Sequence, residues 1–445
     1  MADYRSIADE LGRAILGGTL AVGARLPPQR AFAHRRGIAN ATAARVYAEL
    51  GRRGLVSGEV GRGTFVRPPE ARRASAWQEH ADAPIDMQVA VADLSTEAPR
   101  LARAVSAHAR PDRLRHAVRA TGPEGTRGTG AAAARLLARP GRTPEPESIL
   151  FSASARNGIA SALAAIARPG DRIGVEPITY PSVIRMAPLL GLRLVPLATD
   201  EGGVDVRALA AAHRARPLAG LYLQPTVHNP LGLTTGDERR SDLAAFLREA
   251  DLPCVEDGVF SFLSDAAPLA ALAPEQVIVV DGLSKRLGPG TGLGFVVAAA
   301  PRRRDAIAAA MRAGGWVAAS LPLSLATEWI ADGSVAAVSA IRRAEAEERR
   351  AVAADVLGGQ RVRSGVRSFY LWLELPESWH ADAFAAAAAR AGVAVTGGRT
   401  FAVQPGHAPR AVRVAISSML IPDLRRGLGS LRDLLAGPPP PDTTE

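Results

Sequence analysis

One lysine stands among the 54 basic residues of this 445-residue chain, at position 285. Arginine can replace lysine in surface charge and ion pairs, but its guanidinium stays protonated and cannot act as an amine nucleophile. A chain so biased keeps lysine where the chemistry demands a primary amine. The neighbours of Lys285 are chemically suggestive: Asp281-Gly282-Leu283-Ser284-Lys285-Arg286 closes an apolar run, and Glu256-Asp257-Gly258 closes another. Asn229, in His228-Asn229-Pro230-Leu231-Gly232, follows a third run, and Tyr180 follows a fourth. An amine, a buried carboxylate, an amide and a stacking ring are the groups that hold a pyridine aldehyde: Lys285 at the carbonyl, Asp257 at the ring nitrogen, Asn229 at the 3′-oxygen, Tyr180 on the ring face. Ser154-Ala155-Arg156 opens a helix whose first amides form an anion site, which completes a candidate site for pyridoxal 5′-phosphate (PLP). Arg413, in Val412-Arg413-Val414, can fork onto an amino-acid carboxylate.

These residues need elements to carry them. Short apolar runs ending in turn residues predict buried strands at Arg172–Glu176, Gly220–Gln224, Pro253–Glu256, Gln276–Asp281 and Leu293–Ala299, with Ala-rich helices between several of them, one at Ile159–Ala167. That alternation is the pattern of an α/β domain with a mostly parallel sheet, in which ligands bind beyond the carboxyl ends of the strands. Gly288-Pro289-Gly290-Thr291-Gly292-Leu293-Gly294 has the look of a dinucleotide loop, but it leads into a strand and not a helix, so it is set aside.

Ahead of this domain lies a basic segment. Residues 1–67 hold eleven arginines against five acidic residues, which is +6 of the chain's net +10 and points to a polyanionic partner. Ile7, Leu11 and Ile15 predict a first helix from Tyr4 to Leu16, ended by Gly17-Gly18. A short helix at Arg30–Arg36, a turn at Gly37–Asn40 with Asn40 as N-cap, and a helix from about Ala41 to Arg52 make a helix-turn-helix. Its second helix would enter a DNA major groove, with Asn40, Thr42 and Arg45 facing the bases. Gly54 to Val66 then reads as a hairpin wing.

Composition excludes other classes. No apolar run reaches the roughly 18 residues of a membrane span, and the N-terminus lacks a signal peptide's apolar core, so a cytoplasmic protein is expected. A single cysteine, Cys254, permits no internal disulfide, and the eight histidines have no ligand-like spacing, so no metal is expected.

The run from Ile15 to Val66, with Leu26-Pro27-Pro28-Gln29-Arg30, Gly54-Leu55-Val56 and Gly61-Arg62-Gly63-Thr64-Phe65-Val66 in order, resembles the winged helix-turn-helix of the GntR family. That resemblance implies a double-stranded DNA operator and adds Arg30 and Arg62 to Arg45 as DNA contacts, Arg62 at the wing and phosphates. Ala39-Asn40 stands where the family usually has a pair such as Ser-Arg. Residues 85–435 resemble the fold-type I aminotransferases, and the whole chain is similar to MocR/GabR-like regulators. The resemblance implies a winged helix at 1–67, a linker at 68–84 and an aminotransferase-like domain at 85–436, divided into a large part to about 320 and a smaller α+β part from about 321. A Pro-rich disordered tail, 437–445, would follow. It also implies a head-to-tail homodimer that senses PLP or an amino-acid-like effector, with Ser284 beside the cofactor.

Departures from that resemblance concentrate at the cofactor phosphate. Gly292 stands where the family places an arginine and Gly282 where it places a serine. Val259-Phe260 replaces a tyrosine, and the tyrosine before Gly122–Gly125 is absent. Arg156 and Arg286 are the expected compensating cations. Two other readings stay open: a working aminotransferase with an attached DNA-binding module, and a regulator whose aminotransferase-like domain no longer binds PLP.

Overall fold

The apolar spacing that predicts the first helix is met by α1 (Tyr4–Leu16), which keeps the expected bounds. The computed structural model describes residues 4–16, 19–21, 23–52, 55–59, 62–66, 83–90 and 97–437. Gly17-Gly18, Gly54, the wing tip at Val60-Gly61, nearly all of the expected linker and the tail beyond Gly437 lie outside the described residues. The chain divides into two units, one of residues 1–89, 352–363 and 371–445, the other of 90–351 and 364–370.

In the first unit, α1 is followed by β1 (Arg25–Leu26), α2 (Gln29–Arg36), α3 (Asn40–Arg52), β2 (Val56–Glu59) and β3 (Gly63–Val66). The three strands form an antiparallel sheet in the order β1-β3-β2. Ile7, Phe32, Val46, Leu50, Val56 and Val66 form the core of this winged helix. Gly37 ends α2 in the left-handed region at φ 62°, where a side chain is disfavoured. Tyr47 donates to Pro27 O at 2.7 Å and so fastens the Leu26-Pro27-Pro28 segment to α3. Asn40 opens α3 and does not cap it: the first helical bond runs from Ala43 N to Ala39 O at 3.1 Å.

Side chains alternate along β3, so Val66 enters the winged-helix core and Phe65 faces away from it. Phe65 is nonetheless buried, because it stacks on His380 of the same unit with ring centroids 4.4 Å apart. Gly23, at φ +84°, lies so close to Ala383 that a Cβ would fall 2.5 Å from that residue's Cβ.

After β4 (Ile85–Asp86) the second unit begins with α4 (Ala98–His108), α5 (Pro111–Ala117) and α6 (Arg127–Leu137). It continues through β5 (Ile149–Ser152), α7 (Ala155–Ile166), β6 (Arg172–Val175), α8 (Pro181–Leu189), β7 (Arg193–Pro196) and a hairpin of β8 (Thr199–Asp200) with β9 (Gly203–Val204). Then come α9 (Val206–Ala215), β10 (Gly220–Leu223), α10 (Asp237–Glu249), β11 (Cys254–Asp257), β12 (Val277–Gly282), α11 (Ser284–Leu287), β13 (Gly294–Val297), α12 (Pro301–Ala313) and α13 (Ser320–Ala331). Seven strands form one sheet, β5-β13-β12-β11-β10-β6-β7, and only β13 runs antiparallel to its neighbours. The expected strands are all present within a residue or two at each end, and the glycine-rich loop does lead into strand β13.

α14 (Ser334–Val356) carries the chain into the remainder of the first unit: β14 (Val362–Arg363), β15 (Tyr370–Glu374), α15 (Ala381–Arg390), β16 (Val393–Ala394), β17 (Thr396–Gly397), β18 (Ala411–Ala415) and α16 (Ile421–Ala436). Here a sheet β14-β15-β18-β17 and a parallel pair β16-β4 form an α+β layer around Leu371, Leu373, Phe384, Val412, Val414 and Leu428. The division at about 320 falls later than expected. α13 and the start of α14 belong to the second unit, since Ala326, Trp329, Val335 and Val338 share a core with Leu101, Ala104 and Leu137.

Candidate functional site

β10, β11 and β12 run parallel, and β5 runs with them because both β5 and β12 are antiparallel to β13. Their carboxyl ends therefore open on one edge of the sheet, where Asp257 ends β11, Lys285 follows β12 and α7 follows β5.

Asp257 is buried and accepts from Tyr222 Oη at 2.6 Å and Val259 N at 3.1 Å. Burial pushes its pKa up to about 6, against the pull of the Tyr222 and Val259 bonds and of the Lys285 ammonium, with Asp281 adding a smaller upward push. Lys285 Nζ donates to Ala90 O at 2.9 Å and lies 5.6 Å from the Phe260 ring centre. Phe260 meets Tyr370 edge to face at 5.3 Å, so an aromatic wall stands where the resemblance expects a phenol.

Three residues of this edge were missed in the sequence. Tyr222 is a hydroxyl inside an apolar strand; register sets it opposite Val255, on the face that Asp257 shares two residues on. Glu176, buried just beyond β6, accepts from Gln224 N at 2.8 Å through Oε1, while Oε2 makes no hydrogen bond among the described residues. Burial pushes Glu176 up to about 7. Gln224 Nε2 donates to Thr179 Oγ1 and to Asn229 O, both at 3.2 Å, and so ties the loop carrying Asn229 to the one carrying Tyr180. Their signal is a lone polar residue at the end of, or inside, an apolar run. Asn229 is buried and Tyr180 half-buried immediately before α8.

At the start of α7, Ser154 serves as N-cap, accepting from Asn157 N at 3.2 Å and donating to Asn157 Oδ1 at 2.7 Å. Ala155 and Arg156 form the first turn, Arg156 exposed, and Ser284 is half-buried at the start of α11. Arg286 does not take the compensating place expected of it. Its guanidinium is fully buried in a two-pronged pair with Asp281, at 2.7 and 2.8 Å, with a further bond to Gly282 O at 2.7 Å. Asp257, with Lys285 near it, suits the ring-nitrogen end of PLP, since a buried carboxyl held high by desolvation gains from a cationic ring nitrogen. The phosphate half fits less well: the α7 amides, Arg156 and Ser284 are what remain.

Arg413 lies in the other unit, where it donates to Gln88 O at 2.5 Å and sits 4.8 Å over the Phe401 ring. On the winged helix, Arg30, Asn40 and Arg45 are exposed and Thr42 and Arg62 partly so. Arg36 is committed to Glu10 in a two-pronged pair at 2.8 and 3.1 Å.

The family "Aminotransferase class I and II" matches residues 93–431, and "Bacterial regulatory proteins, gntR family" matches residues 3–66. The chain is similar to the uncharacterized HTH-type transcriptional regulator YdeF of Bacillus subtilis (strain 168), 29% identical over 446 residues that span 97% of this chain and 94% of the relative. It is also similar to the HTH-type regulator YdcR of Escherichia coli (strain K12), 27% identical over 184 residues, 39% of each chain. Among solved structures, an archaeal alanine:glyoxylate aminotransferase superposes with a TM-score of 0.73 at 21% identity, covering 82% of this chain and 94% of that one. A Pyrococcus horikoshii kynurenine aminotransferase gives 0.73 at 19% identity, over 83% and 95%. Among the described residues no helix is long and apolar enough to cross a membrane.

Proposed function

The chain belongs to the aminotransferase class I and II family, and from that premise we propose that it is a DNA-binding transcription regulator whose aminotransferase-like domain senses PLP, or an amino-acid-like effector through PLP. One observation carries the reading: the chain's single lysine follows β12 beside buried Asp257, in a protein whose front end is a winged helix with exposed arginines. A relative matched over 97% of this chain, both parts included, bears the name HTH-type transcriptional regulator, which supports the same reading.

When bound, PLP supplies a reactive aldehyde and an electron-withdrawing ring. Lys285 would hold the aldehyde carbon, Asp257 the ring nitrogen, Asn229 the 3′-oxygen and Tyr180 the ring face. Ser154, Ala155, Arg156 and Ser284 would face the phosphate. Arg413 has the proposed role toward an effector carboxylate. Arg30, Asn40, Thr42, Arg45 and Arg62 would meet an operator, presented by a homodimer as two winged helices. Effector binding alters DNA affinity only if it favours one arrangement of those helices over another. The thin phosphate donor set favours sensing over sustained turnover.

Titration of the purified protein with PLP, followed by visible absorbance, tests the cofactor claim. A saturable band that disappears in Lys285→Ala is expected. A protein that stays colourless across millimolar PLP would refute the claim and favour a domain kept only as a scaffold.

A further inference from the structure

The proposed function sets a pyridine nitrogen against Asp257, and a residue of the neighbouring strand governs what that nitrogen meets. We infer that Tyr222 is a positioning residue for the cofactor ring: its hydroxyl keeps Asp257 ionised, so that the single proton shared between Asp257 and the ring nitrogen rests on the nitrogen. This rests on the PLP reading and goes beyond it, since a buried carboxyl by itself does not fix where that proton lies.

The sheet makes the contact. Tyr222 is the one polar side chain of β10 and pairs in parallel register with Val255 of β11, which turns it to the face that Asp257 shares two residues on. Both side chains are buried, and the phenol donates to Asp257 Oδ2 at 2.6 Å while Val259 N donates to Oδ1 at 3.1 Å. Burial first, and then the Asp257 carboxylate, push the Tyr222 hydroxyl well above the usual phenol range. It therefore keeps its proton and acts as a donor.

A buried carboxyl and a pyridine nitrogen compete for one proton. Burial disfavours the carboxylate, and Asp257 is pushed up to about 6 even with its hydrogen bonds in place, toward the proton affinity of a pyridine nitrogen. Of the groups that oppose burial Tyr222 weighs most, ahead of the Val259 amide and the Lys285 ammonium. A hydroxyl bonded to a carboxylate lowers that carboxylate's affinity for a proton by roughly ten- to a hundredfold. Loss of the hydroxyl hands the proton to Asp257 and leaves the ring neutral. The neighbouring carboxyls do not replace it: Asp281 is held by Arg286 in a two-pronged pair, and Glu176 accepts from Gln224 N. The location of the proton matters because a cationic ring draws electron density from the aldehyde carbon more strongly than a neutral one.

The test loads the full chain with PLP isotopically labelled at the ring nitrogen and reads the chemical shift of that nitrogen by NMR, in the wild type and in Tyr222→Phe. Free PLP, titrated through its ring ionisation, marks the cationic and neutral limits. The wild type is expected on the cationic side. Tyr222→Phe should move toward the neutral limit by at least about half of the interval, as roughly a tenfold change in a near-balanced proton equilibrium does. Circular dichroism and the visible band report that the variant is folded and loaded, and Tyr222→Met, equally without a hydroxyl, serves where Phe does not fold. An unmoved shift in a folded, loaded variant overturns the inference, and so does a neutral ring in the wild type, which needs no variant at all. A wild type that gives no visible band with PLP overturns the cofactor reading itself, and this inference with it.

Discussion

Two carboxyls, Glu176 and Asp257, are buried at the same sheet edge, and each is raised above its ordinary value, from 4.5 to about 7 and from 3.8 to about 6. The folded state therefore binds these protons more tightly than the unfolded chain does. Their contribution to stability is complete at a pH below the ordinary values and is lost as pH rises through about 6 to 7. Without cofactor, the protein should lose stability between pH 5 and 8. Glu176→Gln, which keeps an acceptor for Gln224 N, should remove on the order of 2 kcal/mol of that loss. Denaturant melts at the two pH values decide it, and an unchanged pH dependence in the variant would rule out Glu176 as the source. At this scale the sequence was legible where chemistry is rare. A lone lysine, and an aspartate ending an apolar run, stand out by type and position. Tyr222, Gln224 and Glu176 do not, because their roles depend on strands distant in sequence lying side by side. Arg286 misled for the same reason: adjacency to Lys285 in the chain does not reveal that Asp281 claims its guanidinium.

Elements were easier to read than their junctions. The strands ending at Asp257 and Gly282 are fixed by short apolar runs, and α1 by its 3.6-residue spacing. What periodicity could not foresee is the outward face of the wing, where Phe65 stacks on His380 and Gly23 meets Ala383. Two glycines separate strain from contact. Gly37 is left-handed with open space around it, so Gly37→Ala should cost about 1 kcal/mol. Gly23→Ala adds a clash with backbone and should cost about 2–4 kcal/mol. Equal losses in thermal or denaturant melts of the two variants would count against the wing being packed on the first turn of α15. For the recognition elements, Arg62→Ala should lower the slope of log affinity against log salt by about 0.9, as one lost phosphate contact does. Arg45→Ala should weaken a selected site by about 1–3 kcal/mol and relax its sequence preference. Binding isotherms at several salt concentrations separate these outcomes.

For the whole molecule, a basic front and an α/β body are visible in charge distribution and element order alone. The grouping of residues is not. The chain returns through residues 352–363 and 371–445 to the unit that holds the winged helix, so the effector-type domain is divided between two units. A linear reading, which assigns 1–67 to one domain and 85–436 to another, cannot anticipate a unit built from both ends of the chain. The proposed function requires that occupancy of the Lys285 site and DNA binding be linked. The most direct measurement is the affinity of the full-length protein for a DNA site selected from a random-sequence pool, with and without saturating PLP, in the wild type and in Lys285→Ala. PLP is expected to change wild-type affinity by at least about fivefold, a coupling of roughly 1 kcal/mol, and to leave Lys285→Ala unchanged. Wild-type affinity that is the same with and without PLP would contradict it.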